Sequence, residues 1–450
     1  MRRPAIDRVS ADDLMALVAE RGSAPMQVGV LLLLDATDLD PEEAIRQLGR
    51  RVAGVPRLRQ RLWPVPVGCG RPIWLDDPGF DLDRHVSVLN LPGESLAEPE
   101  LLRQAAALLA APLPRDRPLW AARLVTTDEG PAALVLVIHH VLADGIGGLA
   151  VLGGLVDGAD PAAPTPGFPR ARPTPGAIWA DSVRQKAAAA RSLVPALLRL
   201  AAAAGQLRRV GTRRLARSSL NVPTGPRRQF ASIRLSLAQT LAVARAEHAT
   251  VNDVLLVACA GALHRLLAAR GERVEEFVVS VPFSARRQTG VGRLGNRSGV
   301  IPLGIPAVGD PGLRLRRVAA LTRTARSGAR GASTALLGPV FRLLARLGLY
   351  RRFINRQRLI HTFLSNLRGP TGELSIFGRP ITAMLPLSAP TGNVTVAFTV
   401  LSYAGTLVIT VVADPDACPD LPLLRAALAE ELAGFGLRPV TATGRAGQMY

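Results

Sequence analysis

Lysine and aromatic side chains are almost missing from this chain. Lys186 is the single lysine, and Phe, Trp and Tyr together make up 4% of 450 residues. So few rings argue against a stacking platform for nucleic-acid bases, and they leave Leu, Val, Ile and Ala to fill the core. Cysteine is equally sparse. Cys69, Cys259 and Cys418 lie far apart, which excludes a disulfide framework and a zinc pattern and predicts a reducing, cytoplasmic setting. The start, MRRPAIDRVSADD, has no apolar run behind its arginines, so no signal peptide is predicted. No apolar run of spanning length is free of charge. The nearest candidate, residues 134–156, is interrupted by His139, His140 and Asp144, and a spanning helix is not predicted. There is no G-x-S-x-G elbow, which argues against a serine hydrolase of the α/β type, and no repeat of solenoid length.

What the chain does have is bulk apolar content and positive charge. Hydrophobic residues make up 48%, ample for burial, and the length predicts two domains rather than one. The net charge of +20 is carried almost wholly by arginine. Such a charge suits phosphate groups or anionic lipid, although arginine and alanine rising together also fit a codon bias. Periodicity and punctuation predict mixed α and β structure in both halves. Helices are expected at 10–21, 41–52, 99–111, 145–156, 181–217, 237–247, 251–269, 311–328, 335–353 and 421–432. Strands are expected at 28–34, in short runs after 52 to about 91, at 119–126, 133–138, 230–235, 276–282 and 299–305, with several more in 361–412. Residues 158–179, GADPAAPTPGFPRARPTPGAIW, read as a linker. The expected division is an N-terminal domain over 1–160, a Pro/Ala/Arg-rich crossover over 161–225, and a C-terminal domain over 226–450.

The stretch LVLVIHHVLADGIGG, residues 134–148, carries the chemistry. An apolar strand ends in His139 and His140, and Asp144 and Gly145 follow at the turn into a helix. Rigid scaffolds present reactive side chains at such strand ends. Imidazole titrates near neutrality and can take a proton from a hydroxyl. Successive strand residues point to opposite faces, so one histidine should face a cleft while the other supports it. The same alternation keeps the pair from chelating one metal ion. Asp144 is expected to enter a buried ion pair, Arg286 being one possible partner. A rival reading, G-x-G-x-x-A from Gly145 to Ala150, fits a dinucleotide fingerprint. It is disfavoured because HHVLAD separates the strand from the first glycine, where that motif needs a tight turn.

The pattern His139-His140-x-x-x-Asp144-Gly145 resembles the signature of the chloramphenicol acetyltransferase-like superfamily. Further stretches are similar to one branch, the bacterial wax ester synthase/diacylglycerol acyltransferase family: VSADDLMALVAERGSAPMQVG, VPRLRQRL, RPLW, TVNDVLLVACAGALHRLL, VPFSAR, GN at 295–296, SNLRGP and SYAG, in that order along nearly the whole chain. Gln27, Ala121 and Arg368 depart from the usual residues. The resemblance implies two chloramphenicol acetyltransferase-like α/β domains, each a mixed sheet flanked by helices, with a channel between them. It implies catalytic His140, His139 and Asp144, with His140 as general base. Gly145, Asn252, Asp253, Ser365 and Asn366 would line the substrates, Asn252 or a donor near 365–366 serving the oxyanion. Acyl-CoA enters as substrate and no cofactor is needed. The expected acceptor is diacylglycerol, giving triacylglycerol; a long-chain fatty alcohol, giving a wax ester, is the alternative. A non-catalytic lipid- or droplet-binding protein on the same fold is a third reading.

Simpler readings stand beside these. Thr250 and Asp253 form a plain capping pattern, and Pro118-Leu119-Trp120 can simply open a core strand. Val340, Leu343, Leu344 and Leu347, and the arginines crowded near 184–214, make amphipathic helices. These either pack on their own domain or lie against an anionic membrane or lipid droplet. The second option makes the protein peripheral to such a surface, with no nucleic-acid partner and an open oligomeric state.

Overall fold

The computed structural model describes residues 6–440, apart from 12, 21–24, 37–38, 94–95, 129, 160–166, 192–214, 217, 285–297, 330–340, 342 and 346. Along the first half run α1 (Asp13–Ala19), β1 (Gln27–Leu34), α2 (Pro41–Ala53), β2 (Gln60–Trp63), β3 (Ile73–Asp76), β4 (Val86–Leu91), α3 (Glu98–Ala110), β5 (Trp120–Thr127), β6 (Ala132–His139) and α4 (Gly145–Gly153). The linker helix α5 (Pro175–Arg191) follows. The second half holds β7 (Gln229–Ser236), α6 (Leu237–Ala246), α7 (Val251–Ala269), β8 (Glu276–Ser284), β9 (Ser298–Pro306), α8 (Pro311–Ala329), α9 (Tyr350–Ile354), β10 (Thr362–Arg368), β11 (Ser375–Ile376), β12 (Arg379–Leu387), β13 (Val396–Tyr403), β14 (Thr406–Ala413) and α10 (Leu421–Ala433).

Two six-stranded mixed sheets result, in the orders β11-β12-β1-β6-β5-β4 and β7-β14-β13-β10-β8-β9. The first sheet borrows two strands from the second half of the chain. β12 pairs antiparallel with β1, Leu33 opposite Ala383. A self-contained unit over 226–450 therefore needs amending: residues 375–387 cross over and complete the sheet that carries the histidines. A strand with a long apolar edge needs a ladder partner, and β1 finds one here.

Alternation sets the layers. All eight residues of β6 are buried. Ala132, Leu134, Leu136 and Ile138 join the core beneath α2 and α4, while Ala133, Val135 and Val137 face another core. That second core also contains Phe230, Ala397, Val408 and Val412 of the other sheet and Leu101, Ala105 and Leu109 of α3. The two sheets thus meet across a shared apolar layer. Glu98 of α3 fastens the junction through Ser232 and Arg234 of β7.

α7 is the axis of the second core, with Val254–Leu263 buried on every side. By length and composition it could cross a membrane, a candidate the sequence reading passed over, but 72% of its apolar window lies inside the protein. The linker also differs from expectation. α5 starts at Pro175, inside the stretch read as loop, because Thr174 accepts from the Ala177 amide at 3.2 Å and proline suits the first helical turn. Of the helices expected at 181–217 and 335–353, residues 192–214, 217, 335–340, 342 and 346 lie outside the described residues.

Candidate active site

The strand β6 ends in a tight corner. The His139 carbonyl accepts from Leu142 N at 2.9 Å, and His140 N donates to the Met26 carbonyl at 2.8 Å. Val141 and Leu142 then dive into an apolar cluster with Val9, Ala16, Trp74, Leu113 and Leu119. α4 starts immediately afterwards. Asp144 is its N-cap, Oδ1 accepting from Gly147 N at 2.9 Å. This accounts for the spacing: four residues turn the chain, and the aspartate satisfies an otherwise orphaned helix amide.

His139 is 1% exposed. Its Nδ1 accepts from Val141 N at 2.9 Å, which leaves the proton on Nε2. Nε2 lies 3.1 Å from Glu20 Oε1, out of line for a good hydrogen bond, and Glu20 in turn pairs with Arg115. Burial, reinforced by Arg115, pushes the His139 pKa down to about 3, so the ring is neutral at physiological pH. Across the ladder, Gln27 faces His139 and donates to the Ala111 carbonyl at 2.7 Å. His139 is enclosed within the corner that it braces.

His140 is half-buried. Burial lowers its pKa; its own backbone carbonyl, Asp144 and Asp13 act in the opposite direction. In its neutral form the ring keeps a lone pair on one nitrogen, the state a general base requires.

Gly145 marks where the second sheet arrives. A Cβ there would lie 2.9 Å from both methyls of Leu367 on β10. Ser365 shares a strand face with Leu367, two residues away, or about 7 Å along the strand. Ser365 is half-buried and on the site's side, whereas Asn366 is exposed on the opposite face. Asp253 is 1% exposed and fully engaged. Oδ2 accepts from Thr250 N and Oγ1, both at 2.8 Å, and Oδ1 accepts from Thr322 Oγ1 at 2.8 Å. It caps α7 and ties it to α8, so direct contact with substrate is not the role its geometry gives it. Asn252 is half-buried in the first turn of α7, and nothing among the described contacts links it to the histidine corner. Trp120 is buried and donates to the Leu58 carbonyl at 2.7 Å, with His85 stacked on it at 4.6 Å; it is a core residue. Arg286 and Asn296 lie outside the described residues.

Sequence reasoning gave no role to Asp13 or Glu20. Asp13 lies in the first turn of α1 and accepts from Ser10 N at 3.2 Å. That both acids reach the histidine corner depends on how α1 packs, which no local pattern encodes.

Two similar mixed sheets with a polar corner at their junction define a chloramphenicol acetyltransferase-like fold. The family profile described as the wax ester synthase/diacylglycerol acyltransferase catalytic domain matches residues 9–255, and that of the family's C-terminal domain matches 294–435. The chain belongs to this family. A Mycobacterium tuberculosis protein named "Probable diacyglycerol O-acyltransferase" is 30% identical over 417 residues, 88% of each chain. Among solved structures, a wax ester synthase/diacylglycerol acyltransferase from Marinobacter aquaeolei superposes with a TM-score of 0.69 at 23% identity, over 96% of this chain and 100% of that one. A starter condensation domain of rhizomide synthetase, in complex with C8-CoA and Leu-SNAC, gives 0.60 at 17% identity, over 96% and 95%.

Proposed function

We propose that this protein transfers a long-chain acyl group from acyl-CoA to the hydroxyl of diacylglycerol, forming triacylglycerol. The observation that carries the chemistry is His140, half-buried directly after β6, with Asp144 capping the helix that follows. With acyl-CoA and alcohol bound together, Nε2 takes the hydroxyl proton as the oxygen attacks the thioester carbonyl. The carbon–sulfur bond breaks, CoA thiolate leaves, and the imidazolium returns the proton to sulfur. Acyl-CoA is a substrate here, and the step uses no further cofactor. Direct transfer needs no acyl-enzyme but does need both substrates held at once, which a channel between the two sheets would supply. Asp144 and Asp13 stabilise the imidazolium as it forms. Ser365, on the face that meets α4, is the favoured oxyanion donor.

The naming of the mycobacterial relative favours diacylglycerol as acceptor. The family description also includes wax ester synthesis, so a fatty alcohol is the second acceptor. A water-insoluble product fits a cytoplasmic protein working at the rim of a membrane or lipid droplet. Thiol release from palmitoyl-CoA, measured with diacylglycerol and hexadecanol side by side, tests the reading. Faster release with diacylglycerol is expected. Faster release with hexadecanol would reassign the acceptor, and no release with either would leave a lipid-binding protein on an acyltransferase fold.

A further inference from the structure

Residues 341–360, FRLLARLGLYRRFINRQRLI, contain six arginines and no acidic residue. Leu343, Leu347, Leu349 and Leu359 are 47% to 60% exposed, and Arg351, Arg352, Arg356 and Arg358 are exposed among them. Isolated exposed leucines are ordinary, but four within one short segment are not. Beneath them Phe341, Tyr350 and Phe353 hold one another at ring-centroid distances of 5.5 to 6.5 Å, so the segment has its own base and does not need its leucines for packing. α9, at its centre, packs against α1. α1 also reaches the site: Ala16, with Leu14 and Leu17, packs with Val141 and Leu142, and Asp13 acts on His140. The same short helix therefore touches both the patch and the histidine corner.

We infer that these exposed leucines and arginines are the surface by which the protein sits on an anionic phospholipid layer, next to the entrance for its lipid acceptor. This rests on the membrane-peripheral part of the reading above and names the surface. Leucines inserted at the acyl boundary and arginines at the headgroups are the chemistry such an interface selects. A nucleic acid would use the arginines and leave the leucines without a partner.

The test uses the full chain and two double variants, Leu343→Ser/Leu347→Ser and Arg352→Glu/Arg356→Glu, each checked for native circular dichroism. Sedimentation is measured with phosphatidylcholine vesicles that contain or lack phosphatidylglycerol. Thiol release from palmitoyl-CoA is measured with hexadecanol in detergent micelles and with diacylglycerol in the vesicles. The unaltered protein should partition onto phosphatidylglycerol vesicles, and each double variant should bind about tenfold or more weakly. Release with vesicle diacylglycerol should fall in step, while release with micellar hexadecanol stays within about twofold because His140 is untouched. Binding of both variants at the unaltered level would overturn the proposal, as would failure of the unaltered protein to bind vesicles. Loss in the arginine variant alone would also overturn it and would point to a polyanion such as RNA. If the unaltered protein binds vesicles yet releases no thiol in either assay, the acyl-transfer reading falls and the surface assignment stands.

Discussion

At the residue scale, the corner separates two histidines that are adjacent in sequence. His139 accepts a backbone amide and is shut inside; His140 is only half-buried. Strand alternation made a division of labour legible, but it did not say which histidine faces which way, because the strand ends between them. Asp144 joins two functions, as helix cap and as charge beside His140, and substitution can separate them. Asp144→Asn keeps a good cap, so the melting curve should barely move while acyl transfer falls. Asp144→Ala should also cost about 1 kcal/mol of stability. Equal stability loss in the two variants would contradict the cap. His139 gives a pH prediction. Its folded pKa is depressed to about 3, so below the ordinary imidazole value the unfolded state binds a proton that the folded state refuses. Stability is then full above that value and is lost as pH falls toward 3. Between about pH 7 and about pH 5 the loss from this residue is on the order of 2 kcal/mol. Urea unfolding of the protein and of His139→Asn at the two pH values checks it, and equal acid slopes would count against it.

At the element scale, periodicity located nearly every described helix and strand. The long helix appears at Val251–Ala269 as expected, because Thr250 and Asp253 cap it and its apolar residues fill a core. The pairing of β12 with β1 was not legible, since strands some 350 residues apart in sequence share no local signal. Nor was the contact between α4 and β10, where Gly145 admits Leu367. Gly145→Ala should push Leu367 aside and cost about 1 to 3 kcal/mol. Leu367→Ala, damaging alone, should recover part of that loss in the double variant through coupling of about 1 kcal/mol. Strict additivity in denaturant melts would show that the two positions do not touch.

At the scale of the whole molecule, the two halves share a core and the second lends two strands to the sheet of the first, so the site belongs to neither alone. The resemblance carried by short motifs foresaw the family, and two profiles spanning most of the chain establish it. Motif membership does not distinguish a buried brace from a group that meets substrate; for Asp253 and Trp120 it was the plain local readings, a helix cap and the start of a core strand, that the structure bears out. The central claim is that His140 moves the acceptor's proton, and single-turnover thiol release by His140→Asn with palmitoyl-CoA and diacylglycerol tests it most directly. The account predicts a folded protein whose rate falls by about 10²-fold or more; a folded variant releasing CoA at the unaltered rate would contradict it.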